Sequence, residues 1–256
     1  MSMSTSRDLL SRWLVPVECE LLIGDQESHV WRLSLTSSPS NVRRMAELLD
    51  PTECSRAGRF RFEKDRRQYI LTRGVLRMLL GRYLRRDPSG LNISYSSRGK
   101  PFIAGSENRD DLRFSVSHAG DLALLAFSRG RETGVDIESR QRLKNWKSVA
   151  ERIFSEREKQ ELNSLTEMMR TVAFYNGWTR KEAYLKATGE GLVDALSGIE
   201  VSISPLAPAC LRAIHGDVEL ASRWSIYALE PAEGYAAALV VEGGNCGVRL
   251  WLWDAA

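Results

Sequence analysis

The chain has 256 residues, 43% of them apolar and 27% charged, with 36 Lys and Arg against 33 Asp and Glu. These ordinary globular proportions exclude a wholly disordered chain, a collagen and a coiled-coil rod, and the length suffices for one large core or two small ones. The net charge of +3 conceals a division: eleven Lys and Arg and two acids lie between Arg56 and Arg86, so that window carries +9 and the rest of the chain −6.

In chain order, residues 29–35 (HVWRLSL) alternate as a strand does, and Asp50-Pro51 opens a helical stretch. From Lys64 to Leu84 apolar residues recur at three- and four-residue steps, which predicts a long helix stopped by Asp87-Pro88. Residues 91–95 read as a short strand, and Ser97-Arg98-Gly99-Lys100-Pro101 as a loop. Two strands, 114–117 and 122–127, flank a turn at Ala119-Gly120-Asp121, and 134–138 is a third. Ser155 and Glu158 form a capping box ahead of further helix, and Phe174 to Ala187 is a second long helical segment ended by Gly189-Glu190-Gly191. Strands are expected at 198–203, 223–229 and 235–241. The fold class is therefore α+β, in two halves that meet near Arg129-Gly130. Residues 18–129 form the first half and 130–243 the second, with 1–17 and 244–256 peripheral.

The four cysteines are scattered and the three histidines are far apart, so no local zinc cluster can form. Unpaired cysteine spacing, no apolar run near membrane-spanning length and no apolar core in MSMSTSRDLL lead us to expect a cytoplasmic protein. Nucleophile-elbow, P-loop, zincin and Rossmann patterns are absent.

Two carboxylates carry the first chemical signal. In a strand, Asp136 and Glu138 share one face while Val135 and Ile137 face the core. Adjacent acids suit a Mg²⁺ ion shared with substrate phosphates, or simply a solvated edge strand. Glu182 and Lys186, four apart on the second long helix with Trp178 on the same face, are either a surface ion pair or a third metal ligand or base beside a phosphate-neutralising lysine. Lys100 in its Gly-Lys-Pro loop, with Ser117-His118 at a strand end and nearby arginines, makes an anion site; His118 alone also reads as structural or capping. Most of the arginine-rich helix reads as a solvated face.

Taken in order, Arg73-Gly74-Val75-Leu76-Arg77, Gly99-Lys100-Pro101, Phe114-Ser115-Val116-Ser117-His118, Gly134-Val135-Asp136-Ile137-Glu138, Phe154-Ser155 with Glu158, and Trp178 to Lys186 with Gly189 and Gly191 resemble a 4′-phosphopantetheinyl transferase of the Sfp type, over roughly residues 30–241. The resemblance implies two similar α+β halves related by a pseudo-twofold, in a monomer, with coenzyme A and Mg²⁺ (or Mn²⁺) in the cleft between them. It implies transfer of the phosphopantetheine arm to a serine of an apo acyl or peptidyl carrier protein, in the manner of a holo-[acyl-carrier-protein] synthase, with release of adenosine 3′,5′-bisphosphate. It makes Asp136, Glu138 and Glu182 metal ligands, Glu182 also the base, and Lys186 the partner of the pyrophosphate. Lys100, Ser117 and His118 would grip the adenosine and its 3′-phosphate, helped by Arg56 and Arg73; Glu53 stands where a basic residue can occur, and Arg67 competes with Arg73 for its place. The rivals are a nucleic-acid-binding module on the basic helix and an inert relative that only binds carrier proteins; neither nucleic acid nor membrane is expected as a partner.

Overall fold

The computed structural model describes residues 12–16, 22–105, 108, 110–141, 145–190, 193–244 and 246–254. Its elements run β1 (Glu27–Ser34), α1 (Pro39–Ala46), α2 (Pro51–Gly58), α3 (Glu63–Leu84), β2 (Ile93–Tyr95), β3 (Pro101–Ile103), β4 (Leu112–Ala119) and β5 (Leu122–Arg129). Then follow β6 (Thr133–Ser139), α4 (Trp146–Ile153), α5 (Glu156–Ser164), α6 (Glu167–Thr188), β7 (Ile199–Val201), β8 (Leu211–Ile214), α7 (Val218–Ser222), β9 (Trp224–Leu229), β10 (Tyr235–Glu242) and β11 (Gly247–Trp253). Apart from α7 and β11, the second series repeats the first. Both begin with a strand, pass through two short helices and one of 22 residues, and return through a small hairpin and two strands. The sheets repeat as well: β1-β5-β4 in one, β6-β10-β9 in the other.

These sheets and helices stack in four layers. Strand β5 is apolar on both faces, as a strand covered on both sides must be. Ala123, Leu125 and Phe127 meet α3 through Leu71, Val75 and Leu79. Leu124 and Ala126 turn the other way, onto Val135, Ile137, Leu239 and Val241 of the second sheet. On that sheet's far face Ala236, Ala238 and Val240 of β10 pack under α6. The order is thus α3, first sheet, second sheet, α6, with a core in each of the three gaps.

The sequence pattern assigns no element to Gly247–Trp253, which fall in the peripheral segment 244–256. The structure instead pairs β11 in parallel with the edge of β1, Val30 opposite Leu250. Helix α6 begins at Glu167, seven residues before the sequence pattern becomes regular. Cys19 and Gly191 lie outside the described residues.

Each half is pinned by a buried carboxylate–cation pair in the same place. Asp50 and Glu53 form the capping box of α2, Ser155 and Glu158 that of α5. Glu53 takes the Nε of Arg77 at 2.6 Å, and Glu158 takes the Nζ of Lys181 at 2.6 Å. Arg77 and Lys181 are each the fifteenth residue of their 22-residue helix. Both also donate to carbonyls after that helix, Arg77 to Pro88 and Leu91 and Lys181 to Leu196, and Lys181 donates as well to the Ile153 carbonyl at the end of α4. Lys181 and Glu158 are fully buried, and burial pushes the carboxyl up and the ammonium down. Complete hydrogen bonding holds them ionised: three acceptors for the ammonium, and the Ser155 and Val201 N–H groups for the carboxylate.

Removing one partner strands a buried charge, so Lys181→Met should destabilise the protein by about 3–5 kcal/mol in urea unfolding. Adding Glu158→Gln to it should recover part of that loss; a double variant less stable than the single one would refute the pairing. A second prediction concerns His29, buried on β1 against the Tyr83 hydroxyl at 2.7 Å. Burial lowers its pKa from 6.5 to about 4, against the attraction of Glu27 and with help from Arg249. Between those values the unfolded chain binds a proton that the folded chain refuses. Stability should therefore fall as the pH is lowered from 6.5 to about 4, by about 1.4 kcal/mol per pH unit. In urea melts across the window, His29→Gln should flatten this slope.

Candidate active site

The two sheets meet along β4 and β6, and side chains rather than backbone ladders make the seam. The Ser115 hydroxyl accepts the Val135 N–H at 3.1 Å, and the Ser117 hydroxyl accepts that of Ile137 at 3.3 Å. Strand alternation then decides what faces where. Val135 and Ile137 enter the core between the sheets, so Gly134, Asp136 and Glu138 face α6. Gly134 is required there, because a Cβ would stand 2.0 Å from the Ala183 carbonyl oxygen. With α6 pressed this close, Glu182 and Lys186 flank the contact.

The centre is compact. Lys186 Nζ donates to Asp136 Oδ1 at 2.7 Å and to Ser117 Oγ at 2.8 Å, and Ser117 donates to the same Asp136 oxygen at 2.8 Å. Asp136 is buried, and its Oδ2 has no hydrogen-bond partner among the described residues. Burial first, and then the charge of Asp136, push the Glu182 carboxyl above its ordinary range, with Lys186 pulling against them. Two carboxylates that disfavour each other's charge, one with a buried unused oxygen, form a donor set suited to a hard divalent cation. Glu138 shares the strand face of Asp136, but among the described residues no three His, Cys, Asp or Glu side chains are grouped to hold a metal.

The centre opens into a cleft made of two adjoining cavities. The smaller, about 320 Å³, is lined by Glu182, Lys186, Leu185, Ser115 and Val116; the larger, about 500 Å³, extends over Ser96, Asn108, Arg113 and Glu132. Arg98, Lys100, Pro101, Phe114 and Gly189 border both. Lys100 stands between them, tied to Glu132 and to the Ala187 carbonyl at the end of α6. A cation is favoured at that end of a helix.

The structure therefore brings Asp136, Glu182, Lys186 and Ser117 together, with Lys100 beside them in the cleft. Ser117 gives its proton to Asp136 and its two lone pairs to Lys186 and the Ile137 N–H, so its hydroxyl positions these groups. His118 faces the other side of β4 and is exposed. Arg56 and Arg73 line neither cavity. Arg73 is buried in an ion pair with Glu53 and lies 5.7 Å over the Tyr95 ring; Arg56 stacks on Tyr69 beside a separate open hollow at Pro51, Ser55 and Arg59. Ser115 and Glu132 were missed by sequence reasoning. The Ser-x-Ser alternation in β4 is the signal that points to Ser115, whereas nothing near Glu132 in the chain points to Lys100.

Comparison with known proteins finds relatives over both halves of the chain. Residues 34–129 match the family profile described as "4′-phosphopantetheinyl transferase, N-terminal", and residues 132–240 that of the "4′-phosphopantetheinyl transferase superfamily". The chain is 36% identical over 239 residues to the 4′-phosphopantetheinyl transferase HetI of Nostoc sp., spanning 93% of this chain and 97% of that protein. It is 28% identical over 202 residues to the human L-aminoadipate-semialdehyde dehydrogenase-phosphopantetheinyl transferase, covering 75% of this chain and 65% of the relative. Among solved structures, a holo-(acyl-carrier-protein) synthase of Bacillus anthracis matches 44% of this chain and 96% of its own at 23% identity, with a TM-score of 0.36.

The Glu182 environment can be read directly. In magnesium-free buffer, Asp136→Asn should bring the Glu182 carboxyl back down toward its ordinary pKa, and Lys186→Met should drive it further up. Carbon-13 NMR titration of the glutamate carboxyls measures both; a Glu182 titration indifferent to both changes would break the assignment.

Proposed function

The chain belongs to the 4′-phosphopantetheinyl transferase superfamily, enzymes that move the phosphopantetheine arm of coenzyme A onto carrier proteins, and we propose from this membership that it modifies a serine of an apo acyl or peptidyl carrier protein, as a holo-[acyl-carrier-protein] synthase does, releasing adenosine 3′,5′-bisphosphate. The observation that carries the reading is the Asp136–Glu182–Lys186 cluster at the floor of the cleft.

Mg²⁺ would be held by Asp136 and Glu182, with Glu138 on the same strand face; the unused Asp136 oxygen supports this. The ion supplies charge neutralisation at the pyrophosphate when bound. Mn²⁺ offers similar oxygen chemistry.

The chain's own groups do the rest. Glu182, its carboxyl raised by burial and by Asp136, accepts the proton of the carrier serine hydroxyl. The serine oxygen then bonds to the pantetheine-side phosphorus, and the bridging P–O bond of the pyrophosphate breaks toward the adenosine side. Lys186 neutralises the phosphate oxygens that gain charge, while its bonds to Asp136 and Ser117 keep the ammonium in place. The larger cavity takes the adenosine, with Lys100 at its border for the phosphate. Every group invoked comes from one chain, which supports action as a monomer. The nucleic-acid reading of the basic segment weakens, because Arg73 and Arg77 are buried against Glu53 and Asp50.

Incubation with coenzyme A, Mg²⁺ and a panel of apo carrier domains should add one phosphopantetheine to a carrier serine, read by mass spectrometry. No mass gain on any carrier, beside a competent control enzyme, would overturn the reading. Asp136→Ala and Glu182→Gln should each lower kcat by about 100-fold or more with the fold intact.

A further inference from the structure

Two cations of the first half meet at one carboxylate of the second. Glu132 directly precedes β6, and its backbone is held by Glu242 of β10: the Glu242 N–H donates to its carbonyl at 2.9 Å, and its own N–H donates to Glu242 Oε2 at 3.3 Å. Its side chain divides between two partners. Oε1 takes Arg113 Nη1 at 3.0 Å, and Oε2 takes the Lys100 ammonium. All three residues line the larger cavity of the cleft.

The Lys100 backbone is fixed in a closed loop. The Ser96 N–H donates to the Lys100 carbonyl at 2.8 Å, and the Lys100 N–H donates to Ser96 Oγ at 3.0 Å. Its stem passes Gly189, where an added Cβ would stand 3.4 Å from Lys100 Cδ. A lysine stem is long and flexible, and a ligand that binds a free one must bear the entropy of ordering it. Here the ammonium is already tied to Glu132 and to the Ala187 carbonyl at the end of α6. Among the described residues these take two of its three protons, which leaves one for a ligand in the cleft.

We infer that Glu132 is a positioning residue for the phosphorylated co-substrate: it holds the Lys100 ammonium across the junction of the halves, so that a phosphate meets a cation already ordered. The inference rests on the reading above that the larger cavity takes the adenosine, with Lys100 for its phosphate. Removing the carboxylate has two opposed effects. It makes the cavity more positive, which favours a phosphate, and it releases Lys100, which opposes binding. The second prevails. Lys100 and Glu132 are both partly exposed, so the gain in attraction is screened, and Arg113 keeps Asp111 at 2.8 Å as its counter-ion.

The test is calorimetric binding of adenosine 3′,5′-bisphosphate to the full chain. Glu132→Ala should weaken binding about tenfold, the scale of ordering one long side chain. Glu132→Gln loses the charge but keeps one oxygen acceptor, which goes to Lys100 because Arg113 retains Asp111, and it should recover most of the affinity. In a Lys100→Ala background, Glu132→Ala should have no further effect. Equal or tighter binding by Glu132→Ala would show that the carboxylate acts through its charge alone and overturn the proposal. Equal losses in Glu132→Ala and Glu132→Gln would do the same, as would a tenfold loss that persists in the Lys100→Ala background, the mark of a brace that does not act through Lys100. Each of these leaves the cavity assignment standing. Failure of the unaltered chain to bind the bisphosphate would remove that assignment, and this proposal with it.

Discussion

A hydroxyl has one proton to give and two lone pairs to share, and Ser117 spends all three across the seam between the sheets. Through that one oxygen, β4 of the first half is bound to the backbone of β6, to the carboxylate on β6 and to the ammonium on α6. The position of Asp136 follows from it. So does the direction of Lys186, and with it the floor of the cleft. Ser115 repeats the backbone half of this arrangement one pleat earlier. The site is therefore a joint between two packed bodies, and its geometry is as stiff as their packing.

The long helices and most strands were legible because their patterns are local. Three- and four-residue spacing in α3 and apolar runs in β5 and β10 need no knowledge of neighbours. Strand β11 escaped notice because its place depends on an open edge of β1, more than 200 residues away in sequence. The chemical site divides in the same way. Asp136 with Glu138, and Glu182 with Lys186, announce themselves by spacing within one element. The spent hydroxyl of Ser117 does not, since its partners come from two other elements. Arg73 was placed toward a ligand for a similar reason: nothing in a helix pattern shows that Glu53, 20 residues earlier, takes its charge.

That last pairing also changes the meaning of the basic segment. A count from Arg56 to Arg86 leaves out Asp50 and Glu53, which lie just upstream and fold back onto Arg73 and Arg77. Lys64 meets Asp121, and Arg66 meets Glu63. Part of the apparent surplus is internal bracing of the first half, equivalent to what Glu158 and Lys181 do in the second. What the solvent sees is smaller than the linear sum.

The repeat of elements raises a question of number. Two like halves joined back to back would offer two like seams, β4 against β6 and β9 against β1. Strand β11 holds the edge of β1, with Tyr227 of β9 bonded to the Cys246 carbonyl just before it. The chemistry is lost there too. Aligned by strand register and helix position, Asp136, Glu138 and Glu182 correspond to Trp31, Leu33 and Met78. Those apolar side chains belong to the core under α3. The two halves thus offer one seam lined by carboxylates and one filled with apolar side chains, so a centre built on these carboxylates would occur once per two halves.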